Sequence, residues 1–490
     1  MRYFDRTQLE RVFEPRSIAV VGDKASLGLG WLHRFEAFDG ALCSVHTNSS
    51  SIREIEGLGI PNYERVTDVP RPLDYVVVNT PRRTAIEIFT QCIEAGVGGV
   101  AYFTSGFAET DAEGTAIQSE LVRLSRGSGV VLLGPNCMGV YNPARNMPSS
   151  AGMPVGATGP VAMVGQSGTH SGFFARALFA WHGLRERRGV SFGNAAALDA
   201  ADLVEYLGED DGVEVLAAYL EGIGDREAGD HERFANALAR LTATKPVVIW
   251  KGGATHDGAR ATANHTASDP VAPEDWERIL SSTGAIGVDS MEELVDTTAT
   301  IVKLGRLRGP RAGLLVLTGG QAPAITDTFA RHGLRVPPLT QASLEELATF
   351  FDPIGGSYQN PLDAAYATET PAMLARDLDV LDRDPNVDFV VMDFFSLIMS
   401  AHRVQRDYGV GQRHRSDLPD APGERFLDAI AAHAQRATKP FFAIVSAAET
   451  ELEGLELRAV LRDAGILVFA SAERAATAYG NALADWRRRS

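Results

Sequence analysis

The amino-acid sequence predicts an α/β fold built from three successive units, each with a mostly parallel sheet covered by helices on both faces. Short β-branched apolar runs alternate with longer stretches of helical apolar spacing, small-residue turns follow several of the runs, and this pattern recurs three times. The chain has 490 residues, which suffices for about three domains of ordinary size. A glycine-containing turn after the first strand makes the first unit Rossmann-like.

Bulk composition indicates a soluble globular protein, which we expect to be cytoplasmic. Apolar residues make up 45% and charged residues 22% of the chain, as in ordinary globular proteins. Cys43, Cys92 and Cys137 are far apart and odd in number, which argues against a disulfide framework. We predict no membrane span and no secretory signal, because no apolar run has the required form. The formal charge of −17 disfavours nucleic-acid binding, which needs a basic surface.

The first unit has apolar strand-like runs at 18–21, 42–45, 75–78, 99–103 and 130–133. Between them lie stretches of helical apolar spacing, such as 84–94 and 112–124. The turn that begins at Gly22 occupies the phosphate-binding position of a Rossmann-type unit. Its spacing is not G-x-G-x-x-G, and no carboxylate ends the second strand. A phosphate-bearing ligand other than a nicotinamide dinucleotide is therefore favoured.

The second unit opens at 159–165, and a turn of small residues at 166–172 precedes a predicted helix at 173–181. Free N–H groups and the positive end of the helix dipole could hold an anion at this turn, including a phosphorylated side chain. A simple N-cap would explain Ser167 but not the whole run of small residues. Further on, an acidic helix at 199–206 precedes a strand at 213–220, which ends at Glu221.

A loop rich in Gly, Ala and Thr follows the buried strand 246–250 and presents His265. Loops at the carboxyl ends of parallel strands bind ligands in open α/β sheets, and a histidine there can act as base, acid or nucleophile. Glu221 also ends a strand, so its carboxylate could meet a histidine from a neighbouring loop. An incidental loop histidine and a solvated carboxylate are the alternative interpretations.

The third unit follows a helix at 291–304 and a basic connector at 305–311. It has strands at 313–317, 389–392 and 441–445, a small-residue turn at 318–323 and a helix at 325–332. We interpret 143–159 as a linker and 408–424 as a surface loop, because both are rich in turn-forming residues. The sequence contains no P-loop and no clustered metal-ligand spacing, so no metal ligands are predicted.

A series of short motifs runs through the chain in order. They are F-E-P-R-S-I-A-V-V-G at 13–22, S-G-F-A-E-T at 105–110, G-P-N-C-M-G-V at 134–140, G-Q-S-G at 165–168, V-S-F-G-N at 190–194, Y-L-E-G-I at 219–223, K-P-V-V-I-W-K-G-G at 245–253, H-T at 265–266, T-G-G at 318–320 and N-P-L-D at 360–363. Together they resemble the NDP-forming acyl-CoA synthetases, relatives of the α subunit of succinyl-CoA synthetase. The resemblance implies a Rossmann-like CoA-binding domain at 1–150 followed by two flavodoxin-like, doubly wound ligase domains at 151–308 and 309–490.

The resemblance also implies which residues form the site. Coenzyme A would contact Gly22, Asp23, Lys24, Ser26, Asn48, Ser49, Thr80, Pro81, Phe103, Thr104, Ser105, Asn136 and Cys137. Phosphate would be bound by Gln166, Ser167 and Gly168. His265 would be transiently phosphorylated, and Glu221 would be the carboxylate partner of the phosphohistidine.

The implied activity is ligation of a small carboxylic acid to coenzyme A. A carboxylate is a poor acyl donor, and its conversion to an acyl phosphate provides a leaving group that the CoA thiol can displace. His265 would carry the phosphoryl group between a nucleotide site and the acyl site. ATP or ADP with Mg²⁺ would act through a partner chain, an ATP-grasp β subunit, in a hetero-oligomer.

Two loops depart from the family pattern. The loop after Asn264 reads N-H-T-A-S-D-P where S-H-T-G-A is usual, which adds Asp269 and Pro270 beside His265. The usual N-P-K after the second strand is S-S-S at 49–51, and Lys24 is a candidate for the missing cation. Two alternatives therefore stay open: a CoA or acyl-CoA binding protein without phosphotransfer, and a CoA-dependent transferase or lyase that uses no nucleotide.

Overall fold

The computed structural model describes residues 3–223, 229–263, 271–351, 356–364, 370–394, 422–446 and 451–490. They form three sheets, and the chain divides into two compact units, Met1–Ala177 with Arg185–Leu294, and Leu178–Leu184 with Val295–Ser490. The sheets are almost entirely parallel, which confirms the predicted α/β class. The predicted domain boundaries at 150 and 308 stay predictions. No helix in these ranges has the length and apolar character to cross a membrane.

The first sheet has the strand order β3-β2-β1-β4-β5-β6 and is wholly parallel. Its strands are β1 (Ser17–Val21), β2 (Ala41–Val45), β3 (Asn62–Tyr63), β4 (Tyr75–Val78), β5 (Gly99–Tyr102) and β6 (Val131–Leu133). Its helices are α1 (Arg6–Phe13), α2 (Gly30–Arg34), α3 (Ser49–Gly57), α4 (Ala85–Ala95) and α5 (Ala112–Ser128). From β1 the chain adds β2 and β3 on one side of the sheet and then β4, β5 and β6 on the other side. Ligands bind at such a switch point, so a crevice is expected at the carboxyl ends of β1 and β4.

The second sheet has the order β12-β11-β10-β8-β9-β7. Its strands are β7 (Gly139–Tyr141), β8 (Val161–Gly165), β9 (Glu186–Ser191), β10 (Val215–Leu220), β11 (Val247–Lys251) and β12 (Ile286–Val288). The helices are α6 (Gly168–His182), α7 (Ala200–Gly208), α8 (Asp230–Thr242), α9 (His256–Ala263), α10 (Pro273–Thr283) and α11 (Met291–Leu304). Only β7 runs antiparallel, against β9. The prediction that a helix begins at 173 was wrong, because α6 begins five residues earlier, directly after the Ser167 hydroxyl that accepts the His170 N–H at 3.3 Å.

The third sheet has the order β14-β13-β15-β16-β17 and is parallel. Its strands are β13 (Ala312–Val316), β14 (Leu362–Asp363), β15 (Phe389–Phe394), β16 (Phe441–Val445) and β17 (Leu467–Phe469). The helices are α12 (Gln321–Arg331), α13 (Gln341–Leu347), α14 (Pro371–Arg383), α15 (Pro422–Arg436), α16 (Glu451–Asp463) and α17 (Ala472–Arg489). Most of the predicted surface loop at 408–424 lies outside the described residues, and α15 begins within its last three positions.

A buried arginine connects the first two sheets. Arg188 on β9 donates from Nη1 to Glu10 Oε2 and to the Tyr206 hydroxyl, each at 3.1 Å, and its Nη2 lies 2.9 Å from Glu14 Oε1. Its side chain is only 11% exposed. The Phe13 and Tyr206 rings pack beside this network with centroids 4.8 Å apart. Buried charges of this kind need several partners, and here α1 and the residue directly after it supply two carboxylates and α7 a hydroxyl.

Candidate functional site

The first candidate site lies where β1 and β4 end. Gly22 has φ +81°, and a Cβ there would lie 2.3 Å from Thr80 Cγ2, so only glycine fits this turn. Thr80 shares a hydrogen bond with the Thr84 hydroxyl at 2.8 Å, and its carbonyl accepts from Thr104 Oγ1 at 2.7 Å. The structure thus brings together Gly22, Thr80 and Thr104, which the sequence assigned to one site.

Asp23 has a definite structural role in this turn. It is buried, and its Oδ2 accepts hydrogen bonds from the N–H groups of Trp31 at 2.8 Å and Leu32 at 2.9 Å. These are first-turn amides of α2, which carry no intrahelical bond and would otherwise be open to phosphate. Lys24 and Ser26, which follow in the chain, are exposed. The groups of this turn that face solvent are therefore Lys24 and Ser26 rather than the Asp23 carboxylate.

Asp23→Ala should lower the free energy of unfolding by about 1 kcal/mol, because both amides at the start of α2 lose their acceptor. The change is measured by urea denaturation followed by circular dichroism. Asp23→Asn is the matched control, since it keeps an acceptor oxygen in nearly the same place and should retain most of the stability. Equal stability of wild type and Asp23→Ala would contradict the capping role.

The loop after β2 presents the start of α3. Asn48 Oδ1 accepts from the N–H groups of Ser50 at 3.0 Å and Ser51 at 3.2 Å, so this side chain caps its own helix. The Asn48 N–H donates to His46 Nδ1 at 2.9 Å. Burial lowers the pKa of His46, which favours the neutral ring that this acceptor role requires. Asn48 and Ser49 are both exposed, as a ligand-contacting loop must be.

An aromatic surface lies at the end of β5. Phe103 is 36% exposed, a high value for so large an apolar ring, and its centroid lies 5.3 Å from that of Trp31 in an edge-on arrangement. Ser105 and Pro81, both assigned to the site, are exposed as well. The end of this sheet therefore offers a solvent-facing aromatic ring among small polar residues.

The loop that contains Asn136 and Cys137 rests against the second sheet. Asn136 has φ +57°, and the Asn194 N–H donates to the Pro135 carbonyl at 3.0 Å. A Cβ at Gly193 would lie 2.2 Å from the Asn136 carbonyl oxygen, so the two backbones are in close contact. Burial raises the pKa of the Cys137 thiol to about 12, which keeps it protonated and unreactive at neutral pH. Cys137 is therefore a buried packing residue of this loop, whereas Asn136 is half-buried.

The second candidate site lies at the carboxyl edge of the second sheet and centres on Glu221. This residue follows β10 and is 4% exposed. Gln166 Oε1 accepts from the backbone N–H groups of Glu221 at 2.5 Å and Gly222 at 2.8 Å, which fixes the end of the strand. The Tyr219 hydroxyl donates to Glu221 Oε1 at 3.2 Å and orients the carboxylate. The predicted phosphate-binding residue Gln166 and the predicted catalytic residue Glu221 are thus directly connected.

Lys251 is a site residue that sequence reasoning missed. It ends β11 in register with Leu220, so its Nζ reaches the Glu221 carbonyl at 2.9 Å and also donates to the carbonyl of Gly252. Burial lowers the pKa of this ammonium to about 8, and the Glu221 carboxylate opposes the shift. A lysine at the end of a buried strand was the available indication, since lysine is seldom buried without a role.

The start of α6 completes this edge. A Cβ at Gly168 would lie 2.2 Å from Met138 Cγ, so a larger residue where the helix begins would require the Met138 side chain to move. The His170 ring lies 4.3 Å from the Tyr219 ring and 4.9 Å from that of Trp250, between centroids. His265 lies outside the described residues, and α9 (His256–Ala263) is the last described element before it. The pairing of Glu221 with His265 therefore stays a prediction.

Two protein-family models match this chain. Residues 16–143 match the CoA binding domain, and residues 158–301 match the succinyl-CoA ligase like flavodoxin domain. The two matched domains indicate a CoA-dependent ligase.

Relatives of known activity narrow this class to a family. The α subunits of ADP-forming acetate–CoA ligases II and I from Pyrococcus furiosus are each 30% identical to this chain, over 390 and 367 residues. The matches cover 78% and 72% of this chain, and 81% and 76% of the relatives. A solved structure of dinucleotide-forming acetyl-coenzyme A synthetase 1 from Candidatus Korarchaeum cryptofilum, in complex with phosphate and ADP, superposes with a TM-score of 0.78 at 26% identity, over 98% of this chain and 97% of that one. The chain belongs to the ADP-forming acyl-CoA synthetases, as the motifs indicated.

Proposed function

We propose that this protein is the α-type subunit of an NDP-forming acyl-CoA synthetase. The observation that carries the proposal is Glu221, a buried carboxylate held by Tyr219 and Gln166 at the edge of the second sheet. It lies beside Lys251, which ends the strand that precedes α9 and the His265 segment. The first sheet, which matches a CoA-binding domain, would bind the thiol substrate.

The reaction divides into three transfers. First, a nucleoside triphosphate phosphorylates His265 and leaves as the nucleoside diphosphate. The phosphohistidine then transfers its phosphoryl group to the carboxylate substrate. The CoA thiolate attacks the resulting acyl phosphate, forms the thioester bond and releases inorganic phosphate. Each step displaces a better leaving group than the oxygen of a free carboxylate.

Glu221 orients the histidine in this scheme. Its carboxylate accepts a hydrogen bond from one ring nitrogen of His265, which leaves the other nitrogen unprotonated as the nucleophile. The same carboxylate stabilises the positive ring of the phosphohistidine. The amides at the start of α6, after Ser167 and Gly168, are suited to the transferred phosphate because they carry the positive end of the helix dipole.

A partner chain supplies the nucleotide in this proposal. The relatives from Pyrococcus furiosus are named as α subunits, which supports a second subunit here. We assign it to the ATP-grasp class, which would hold ATP or ADP with Mg²⁺. The acyl substrate is a small carboxylic acid, and a cytoplasmic location fits the use of ATP and coenzyme A.

His265→Ala tests the proposal. The purified chain and an ATP-grasp partner are incubated with ATP labelled at the γ-phosphate. The wild type should acquire acid-labile, base-stable label, and the variant should acquire none, because the acceptor nitrogen is lost. His256→Ala, an exposed histidine on α9, is the matched control and should be labelled normally.

The result also separates the alternatives. Absence of label in the wild type, with coenzyme A still bound, would overturn the synthetase proposal in favour of a CoA-binding protein. Acyl transfer by the chain without any nucleotide would favour a transferase or lyase instead. Binding of coenzyme A by both variants shows that the loss of label does not come from misfolding.

A further inference from the structure

We propose that a basic cleft in the compact unit that contains the third sheet binds a nucleoside polyphosphate. The cleft lies at the amino edge of the third sheet, where β16 and β17 begin, and none of its lining residues belongs to the candidate sites described above. It is formed by the end of α11 with the connector after it (303–308), by the connector 437–440, by the turn before β17 with the first residue of that strand (465–467), and by the end of α17. The inference does not depend on the proposed function.

The cleft combines size with positive charge. Its volume is about 850 Å³, within the range of roughly 300–1,000 Å³ that small-molecule sites occupy. Lys303, Arg306, Arg308 and Lys439 line it. In the part of the chain that the structure describes, none of these four forms an ion pair with a carboxylate. The chain as a whole has a net charge of −17, so a cluster of cations without carboxylate partners makes this cleft locally positive on a negative protein.

Lysine is rare in this chain. It occurs at five positions only, namely Lys24, Lys245, Lys251, Lys303 and Lys439, and two of them line the cleft. Arginine supplies nearly all the other basic side chains.

Lys303 has an unusual environment for a lysine. It is half-buried, and among the described residues its ammonium donates no hydrogen bond. Burial lowers its pKa to about 8, and Arg462 adds to the shift while Asp463 opposes it. Arg462 and Asp463 are themselves paired at 2.7 Å and together add no net charge. Desolvation of an uncompensated ammonium costs free energy, and a bound anion would recover it.

Lys439 differs from the other three cations. Its Nζ donates to the Asp384 carbonyl at 2.6 Å, and the carboxylates of Asp382, Asp384 and Asp388 act on it through space. These carboxylates partly offset its charge. The positive field of the cleft therefore comes mainly from Lys303, Arg306 and Arg308.

The side chains that line the cleft favour an anion that also carries an aromatic ring. The Arg306 guanidinium lies 6.0 Å from the centroid of the half-buried Trp486 ring, and the half-buried Leu304 adds apolar surface. Bases stack on such guanidinium and aromatic surfaces, while phosphates pair with lysine and arginine. A single phosphate would fill little of the volume. ATP, ADP and the nucleotide part of coenzyme A each combine a base with a phosphate chain, and labelling in the presence of each ligand distinguishes them.

Chemical labelling of lysines in the full-length chain tests the site directly. Amines are acetylated with an N-hydroxysuccinimide ester at a pH of about 8, where Lys303 is partly deprotonated, and each lysine is quantified by mass spectrometry. ATP, ADP, coenzyme A and inorganic tripolyphosphate are added separately, with sodium chloride at matched ionic strength as control. At saturating nucleotide, labelling of Lys303 should fall at least about fivefold while that of Lys245 is unchanged.

The pattern across ligands identifies the source of the nucleotide. Protection of Lys303 by ATP and ADP, or by coenzyme A, at lower concentration than by tripolyphosphate supports the proposal and names the ligand. Equal effects of tripolyphosphate and nucleotides, or of sodium chloride, would overturn it, as would unchanged labelling with every ligand. Protection of Lys24 by coenzyme A reports separately on the first sheet, so failure there is distinguishable from failure at the cleft.

A double variant tests the nucleotide site in a second way. Arg306→Gln with Arg308→Gln should abolish protection of Lys303, because two of the three principal cations are removed. Arg331→Gln, an exposed arginine elsewhere in the same unit, is the matched control and should leave protection intact. Both proteins are checked for an unchanged thermal midpoint. Full protection in the folded double variant would contradict the assignment.

Discussion

Glu221→Gln should lower the rate of acyl-CoA formation by at least about 100-fold, the scale of a lost acid–base or charge-stabilising group. The amide has nearly the shape of the carboxylate but no negative charge, so in the proposed mechanism it would neither orient His265 nor stabilise a positive phosphohistidine ring. The contacts of Gln166 go to the backbone N–H groups of Glu221 and Gly222 and survive the change. The affinity for coenzyme A should therefore be unchanged, because the change lies outside residues 16–143, which match a CoA binding domain.

Two measurements separate this role from a structural one. Steady-state kinetics with the partner subunit should show the loss in kcat, and acid-labile label on His265 should fall in parallel. Tyr219→Phe is the matched control, since it removes a single hydrogen bond to the Glu221 carboxylate and should cost only about tenfold. Wild-type kinetics in Glu221→Gln, or a loss confined to coenzyme A affinity, would contradict the assignment.

Arg188→Met should reduce the free energy of unfolding of the compact unit that contains the first two sheets by about 1–3 kcal/mol, because the half-buried carboxylates of Glu10 and Glu14 and the buried Tyr206 hydroxyl lose their common donor. The guanidinium contacts Glu10, Glu14 and the Tyr206 hydroxyl, and the side chain is 11% exposed. These partners lie on α1, directly after α1 and on α7, so the change also weakens the contact between the first two sheets. Urea denaturation measures the loss.

An exposed arginine in the same compact unit provides the control. Arg123 pairs with Glu120 at 2.6 Å, but its side chain is 69% exposed, so Arg123→Met should leave the free energy of unfolding nearly unchanged. Similar losses in the two variants would show that burial and the number of partners do not set the effect. Removal of the carboxylates as well, by combining Arg188→Met with Glu10→Gln and Glu14→Gln, should restore part of the stability.

Long elements with a strong pattern were predicted closely. The helix at 291–304 and the strand at 441–445 match α11 and β16 at both ends. Their runs of apolar residues are long enough to define a period and are bounded by turn residues. Order and spacing of the short motifs sufficed to indicate the family, and the relatives confirm it.

Strand β9 shows where the pattern fails. Its sequence E-R-R-G-V-S contains two arginines and a glutamate, which do not suggest a buried strand. The strand forms because β8 and β7 pair with its two sides and because the partners of Arg188 come from α1 and α7. Those partners lie far from β9 in the chain, so local periodicity carries no information about them.

By itself, the sequence determined the α/β class and the family, and it predicted that the strand end at Glu221 and the loop of His265 converge. Only the tertiary structure decided that Asp23 caps α2, that Lys251 lies against Glu221, and that Lys303 and Lys439 line one basic cleft. The physical reason is common to all three. Side-chain partners depend on strand register and on how connectors fold back, and these follow from packing between segments distant in the chain.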